Sequence, residues 1–184
     1  MGDLEERPVG ELIEELAQRL GRERFAEVCV SLLLGGSRED HLDALPWLTG
    51  HDWSEGEPVR DRTVWKDYWV RTWGARGLLH VWDDQATHAV VAGLDDEEWR
   101  PAEMCLKVVA RHEVAGAGDG AAALLDHELP RVRSSALRAL AVVGDTEHVA
   151  PVVAAQDDPD PDVRRQAGRA WESMRERLDL GERP

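Results

Sequence analysis

The chain has 184 residues, enough for one domain or one array of small units, and its hydrophobic (42%) and charged (32%) fractions suit a folded protein. Its formal net charge is −15, and the arginines stand singly or in pairs among acids, so a phosphate backbone is repelled and nucleic acid is not an expected partner. The two cysteines, Cys29 and Cys105, are too few for a disulfide framework and lie in no metal-ligand spacing, so no metal and no cofactor is expected.

The longest apolar run, Val28 to Leu34, is interrupted by Ser31 and is too short to span a bilayer. Asp3, Glu5 and Glu6 give the start of the chain an acidic character, unlike a secretory leader, so no membrane contact and a cytoplasmic location are the expectation. No stretch alternates apolar and polar residues as a half-buried strand would, whereas Gly and Pro recur between helical stretches.

Taken in chain order, residues 8–20 read as a capping helix with Leu12, Ile13, Leu16 and Leu20 on one face. Helical hairpins are predicted at 22–49, 61–94, 97–128 and 130–156, and a closing helix at 161–178. The first helices of these units share a stripe. Val132, Ala136, Ala139, Leu140 and Val143 have the same offsets as Val163, Ala167, Ala170, Trp171 and Met174, and as Val70, Gly74, Gly77, Leu78 and Val81. Ala102, Cys105, Leu106 and Val109, and likewise Ala26, Cys29, Val30 and Leu33, fit from the second slot onward. On a helix these offsets fall within one arc of about 100°, with small residues in the second and third slots and a large one in the fourth. Each first helix is followed by a turn and a shorter helix, at Leu42–Leu48, Ala86–Leu94, Ala121–His127 and Val149–Ala155. Such a unit buries its stripe only by stacking on its neighbours. Residues 49–59 form a longer connection, expected to be a surface insert.

The run from Pro130 to Leu140, followed by Gly144-Asp145 and then by Asp157 to Arg164, resembles HEAT-like repeats of the phycobilisome-lyase type. The likeness is strongest over 129–177, fair over 60–128 and weak over 8–50, and the whole chain is similar to small actinobacterial HEAT-repeat proteins. The resemblance implies an all-α fold, an α-α superhelix built as a short right-handed solenoid of HEAT-like hairpins. It also implies protein binding, and it carries no fixed catalytic residues to this chain.

Segments with a chemical look have structural readings. Gly116 to Gly120 lacks the preceding strand and following Lys of a phosphate loop and reads as a turn. Asp157 to Asp162 lacks the Gly and distal Glu of a calcium loop and reads as the cap of the closing helix. Arg71, Arg133 and Arg164 recur one residue after the first stripe slot; in HEAT-like arrays such arginines commonly pair with Asp in adjacent turns. Trp65, Trp69 and Trp73, spaced by four, lie on the flank of their helix, where they pack against a neighbour and the insert or form an aromatic ligand surface.

No catalytic residue is assigned, and the expected role is a non-enzymatic scaffold for an unidentified protein partner. The expected surface is the outer side of the second helices: His88, Val91 and Ala92; Ala123, Asp126 and His127; Pro151, Ala154 and Ala155. Acids of the connections, among them Asp95, Asp96 and Glu98, rim it, so a basic or amphipathic segment is the fitting occupant. The alternatives are an acidic inhibitor of a basic protein and an enzyme resembling the HEAT-like DNA alkylation-repair glycosylases. The latter is suggested by Trp69, Trp73 and Asp67 and opposed by the acidic charge.

Overall fold

A computed structural model describes residues 7–181. The chain is all-helical: ten α-helices and seven short 3-10 turns follow one another, with no strand among the described residues. It divides into two compact units, one ending at Met104 and the other beginning at Cys105.

The first unit starts with α1 (Val9–Leu20), which buries Leu12, Ile13, Leu16 and Ala17 and carries Glu11 in its first turn and Arg19 in its last, signs that favour the helix dipole. Gly21, at φ 81°, separates it from α2 (Arg22–Leu33). Where a short second helix is predicted at Leu42–Leu48 lies α3 (Leu45–Thr49), preceded by a 3-10 turn (Arg38–His41). After the insert comes α4 (Asp67–His80), which packs on α2. That packing requires glycine. A Cβ on Gly74 would stand 2.5 Å from the backbone oxygen of Cys29, and one on Gly77 would overlap the Cys29 sulfur. The helices therefore meet backbone to backbone, and Cys29 fills the seam with no exposure. Burial alone raises its thiol pKa well above the usual range. The short α5 (Thr87–Ala92) lies between two 3-10 turns.

Helix α6 (Trp99–His112) runs across the division between the units. The second unit continues with α7 (Gly118–Ala123), α8 (Pro130–Val143), α9 (Val149–Ala154) and α10 (Pro161–Arg177). Here α8 packs chiefly on α10, and the stripe residues Val132, Ala136, Ala139, Leu140, Val163, Ala167, Ala170 and Met174 have no exposure. Asp160 caps α10 by accepting from the amides of Asp162 (2.8 Å) and Val163 (3.2 Å), as its place before Pro161 predicts.

The elements obey a period the stripe offsets only approximate. The turns at Gly93–Asp95, Leu124–Asp126 and Ala155–Asp157 begin 31 residues apart, as do α5, α7 and α9, and α6, α8 and α10. This corrects the predicted register of α6. Cys105, placed in the third slot of the stripe, aligns with Gly74, Ala136 and Ala167 in the second, and Val108 takes the third. Ala102, Cys105, Leu106, Val108 and Val109 are all buried, so the hydrophobic pattern alone fits both registers.

Candidate functional site

The helix ends of the second unit show how one repeat is locked. Arg133, one residue after Val132, donates through Nε and Nη2 to the two carboxylate oxygens of Asp158, both at 2.8 Å, and through Nη1 to the carbonyls of His127 and Glu128. Asp158 also accepts from the amide of Asp160, and the Arg133 guanidinium holds its pKa below the ordinary value. Arg164 repeats the carbonyl contacts one period later, at Asp158 and Pro159. In the first unit Arg71 makes the same two-pronged bond to Asp96, at 2.6 and 2.9 Å, and Asp96 accepts from the amide of Glu98. Only 8% of the Asp96 side chain is exposed, so it ties a turn down and is not a free rim charge. At the intervening period the arginine and aspartate positions hold Ala102 and His127. There the imidazole Nδ1 accepts from the Leu129 amide at 3.0 Å, the task the aspartate performs elsewhere.

The turn at Gly116 to Gly120 is filled by His148. Its ring lies against Gly118, its Nδ1 accepts from the Asp145 amide, and its Nε2 stands 3.1 Å from Asp119. Among the described residues no group of three or more His, Cys, Asp or Glu is gathered as a metal ion would need. No helix among them is long and apolar enough to cross a membrane.

The tryptophans form a cluster that includes the insert. Trp65 precedes α4 instead of lying on it, so the three residues spaced by four do not form a purely helical ridge. Trp53, 4% exposed, meets Trp73 edge to face at 5.5 Å, and its indole donates to the Thr49 hydroxyl. Trp65 lies 5.6 and 5.7 Å from Trp69 and Trp73, with His51 beyond it at 5.5 Å. Trp73 is buried, whereas Trp65 and Trp69 are half-buried and Arg100 covers the Trp69 ring. Trp47 stands apart beneath the Arg19 guanidinium. Asp67 is held by Arg38 at 2.6 Å.

The predicted second-helix face is placed unit by unit. In the first, His88 and Ala92 are exposed and Val91 is half-buried, with Asp95 exposed beside them. In the second, Asp126, Pro151, Ala154 and Ala155 come together on a groove of about 290 Å³, joined by Ala122, Leu125, Asp157 and Asp158. Ala123 is exposed but lies outside the groove, and His127 is engaged with the backbone. Leu125 falls outside the predicted face for a geometric reason. Leu125 sits in the 3-10 turn Leu124–Asp126, where each residue turns about 120°, so an α-helical wheel misplaces it. The turn at Asp84–Ala86 and its counterpart at Thr146–His148 are capped by Asp83 and Asp145.

Residues 118–180, about a third of the chain, match the family model of HEAT repeats. No curated protein matches the chain at a significant level. The matched stretch runs from the start of α7 past the end of α10, through the second unit's 31-residue repeats with their alanine stripes and Arg133–Asp158 lock. Over this stretch the chain is built of HEAT-like repeats.

Proposed function

We propose that the chain is a non-enzymatic scaffold whose second unit holds a basic, amphipathic segment of a partner protein. HEAT repeats generally serve as protein-interaction scaffolds. The observation that carries the finer reading is the groove between the second helices. Ala122, Leu125, Pro151, Ala154 and Ala155 make an apolar floor of small residues, and Asp126, Asp157 and Asp158 stand at its margin. A shallow floor accepts an apolar ridge, and exposed carboxylates steer Lys or Arg toward it. Asp158 is already paired with Arg133, so Asp126 and Asp157 would supply most of the attraction. An acidic inhibitor of a basic protein would use the same surface. Two free, buried cysteines suit a cytoplasmic setting for this role. Against the glycosylase reading stand the buried Trp73 and the engagement of Asp67 by Arg38.

The test pairs affinity capture with the wild-type chain and with two variants. Ala154→Arg fills the groove from an exposed position and should abolish capture of the partner while leaving the thermal unfolding midpoint in place. Asp126→Lys with Asp157→Lys should slow association and flatten its dependence on salt. Loss of the partner with Trp69→Ala, together with its retention by Ala154→Arg, would move the binding surface to the aromatic cluster and refute the proposal.

A further inference from the structure

Independent of that groove, the first unit contains a cavity of about 400 Å³ whose lining differs from the acidic character of the chain. Its wall includes Gly36, Ser37, Arg38, Arg62, Asp67 and Arg71: three guanidinium groups and a single carboxylate. Arg62 is held by Glu39 (2.7 and 2.9 Å) and Arg71 by Asp96 (2.6 and 2.9 Å), but neither Glu39 nor Asp96 lines the cavity. Arg62 also approaches Asp67 at 3.9 Å.

Arg38 is the unusual group. Its side chain is 3% exposed, and its Nη2 donates to the Trp65 carbonyl at 2.8 Å and to Asp67 at 2.6 Å. A guanidinium has five N–H donors. The two on Nη2 are used, whereas Nε and Nη1 are buried with no hydrogen-bond partner. Unpaired buried donors on a charged group are costly. An anionic acceptor reaching them would be stabilising. Asp67 meets Arg38 only through Oδ1 on Nη2, and its Oδ2 stands 3.9 Å from Arg62.

We propose that this cavity binds a small phosphoryl compound, with Arg38 as the buried donor and Arg62 and Arg71 as flanking cations. The volume lies within the range of small-molecule sites, roughly 300–1,000 Å³. A phosphoryl group presents several acceptor oxygens in a tetrahedron. It can therefore take hydrogen bonds from guanidinium groups that come from different chain segments, 38, 62 and 71. A planar carboxylate would meet fewer of these donors at once.

The experiment is titration calorimetry of the full chain at fixed ionic strength, with inorganic phosphate as the probe and succinate as the carboxylate arm. Phosphate should bind at one saturable site, and succinate should not. Arg38→Met should abolish the heat. Because that change also strips the Trp65 carbonyl and Asp67 of a partner, Arg62→Gln is the second variant. The Arg62 side chain is 55% exposed, so the fold should survive, and phosphate affinity should fall about tenfold. Arg138→Gln, an exposed change in the second unit, should leave binding unchanged. In the proton–nitrogen spectrum, the Arg38 Nε–H signal should shift on adding phosphate. The assignment is overturned if phosphate gives no saturable heat, if Arg62→Gln binds as well as the wild type, or if succinate binds in place of phosphate.

Discussion

Helices α2 and α4 meet through glycine, whereas α8 and α10 meet through alanine, although both pairs use equivalent slots of the stripe. Gly74 and Gly77 leave no room for a methyl group against Cys29. Ala136, Ala139, Ala167 and Ala170 keep theirs and are fully buried. The first unit places its bulk on the flank instead, where Trp53, Trp65, Trp69 and Trp73 pack with the insert. The second unit has no such insert, and the family match to HEAT repeats runs through it. A stripe slot therefore fixes which face is buried, while side-chain size in that slot fixes how closely the partner approaches and what must be packed elsewhere.

The units agree in their locks, and the largest expected effects lie there. Arg71→Ala and Arg133→Ala should each lower stability by about 2–3 kcal/mol, somewhat below the 3–5 kcal/mol of a fully buried pair, because each leaves a mostly buried aspartate unpaired. His127→Ala removes one neutral hydrogen bond to the Leu129 amide and should cost only about 0.5–1.5 kcal/mol. Urea unfolding of the three variants checks the ranking. A His127 variant as damaged as either arginine variant would show that the histidine is no mere substitute for the aspartate.

Much of this was legible in the sequence. The stripes specify an all-helical chain, and Arg71 and Arg133 recur at matching places because each must reach the turn after the next short helix. The register of α6 was not legible, since Ala102, Cys105, Leu106, Val108 and Val109 are all apolar and a shift of three residues keeps them on one face. Nor was the second-helix face fully readable, because the 3-10 turns rotate Leu125 into the groove. Arg38 gave no local signal at all. Its burial depends on Trp65 and Asp67, more than twenty residues away, and only the fold brings them together.

The glycine–alanine contrast has its own test. Helix propensity alone would make Gly74→Ala stabilising by about 1 kcal/mol. The backbone contact with Cys29 reverses the sign, and overpacking should cost about 1–3 kcal/mol. Ala136→Gly in the second unit should cost about 1 kcal/mol through propensity and the lost methyl group. Stabilisation by Gly74→Ala, read from denaturant midpoints, would mean that α2 and α4 do not approach so closely.

The smallest expected effect concerns pH and again separates the units. His41, in the first unit, is half-buried with Nε2 2.8 Å from the Ser31 hydroxyl. Burial lowers its pKa below 6.5; Asp40 opposes that shift and Arg24 adds to it. As pH falls through 6.5 the unfolded chain takes up this proton before the folded one. The stability His41 contributes is therefore present above 6.5 and is lost as pH falls toward its folded pKa. The carboxylates act in a lower window. Glu39, held at about 2 by the Ser37 hydroxyl and Arg62, loses its contribution only as pH drops below 4.5 toward that value. Asp158 in the second unit, lowered from 3.8 by Arg133, likewise responds only in acid. Urea unfolding of the wild type and His41→Gln at about pH 7.5 and about pH 5.5 stays above the carboxylate window. The wild type should lose more stability between the two conditions than the variant does, with the difference confined to probes in the first unit. Equal losses would show that His41 takes up its proton as readily folded as unfolded, and that its contact with Ser31 leaves it open to water.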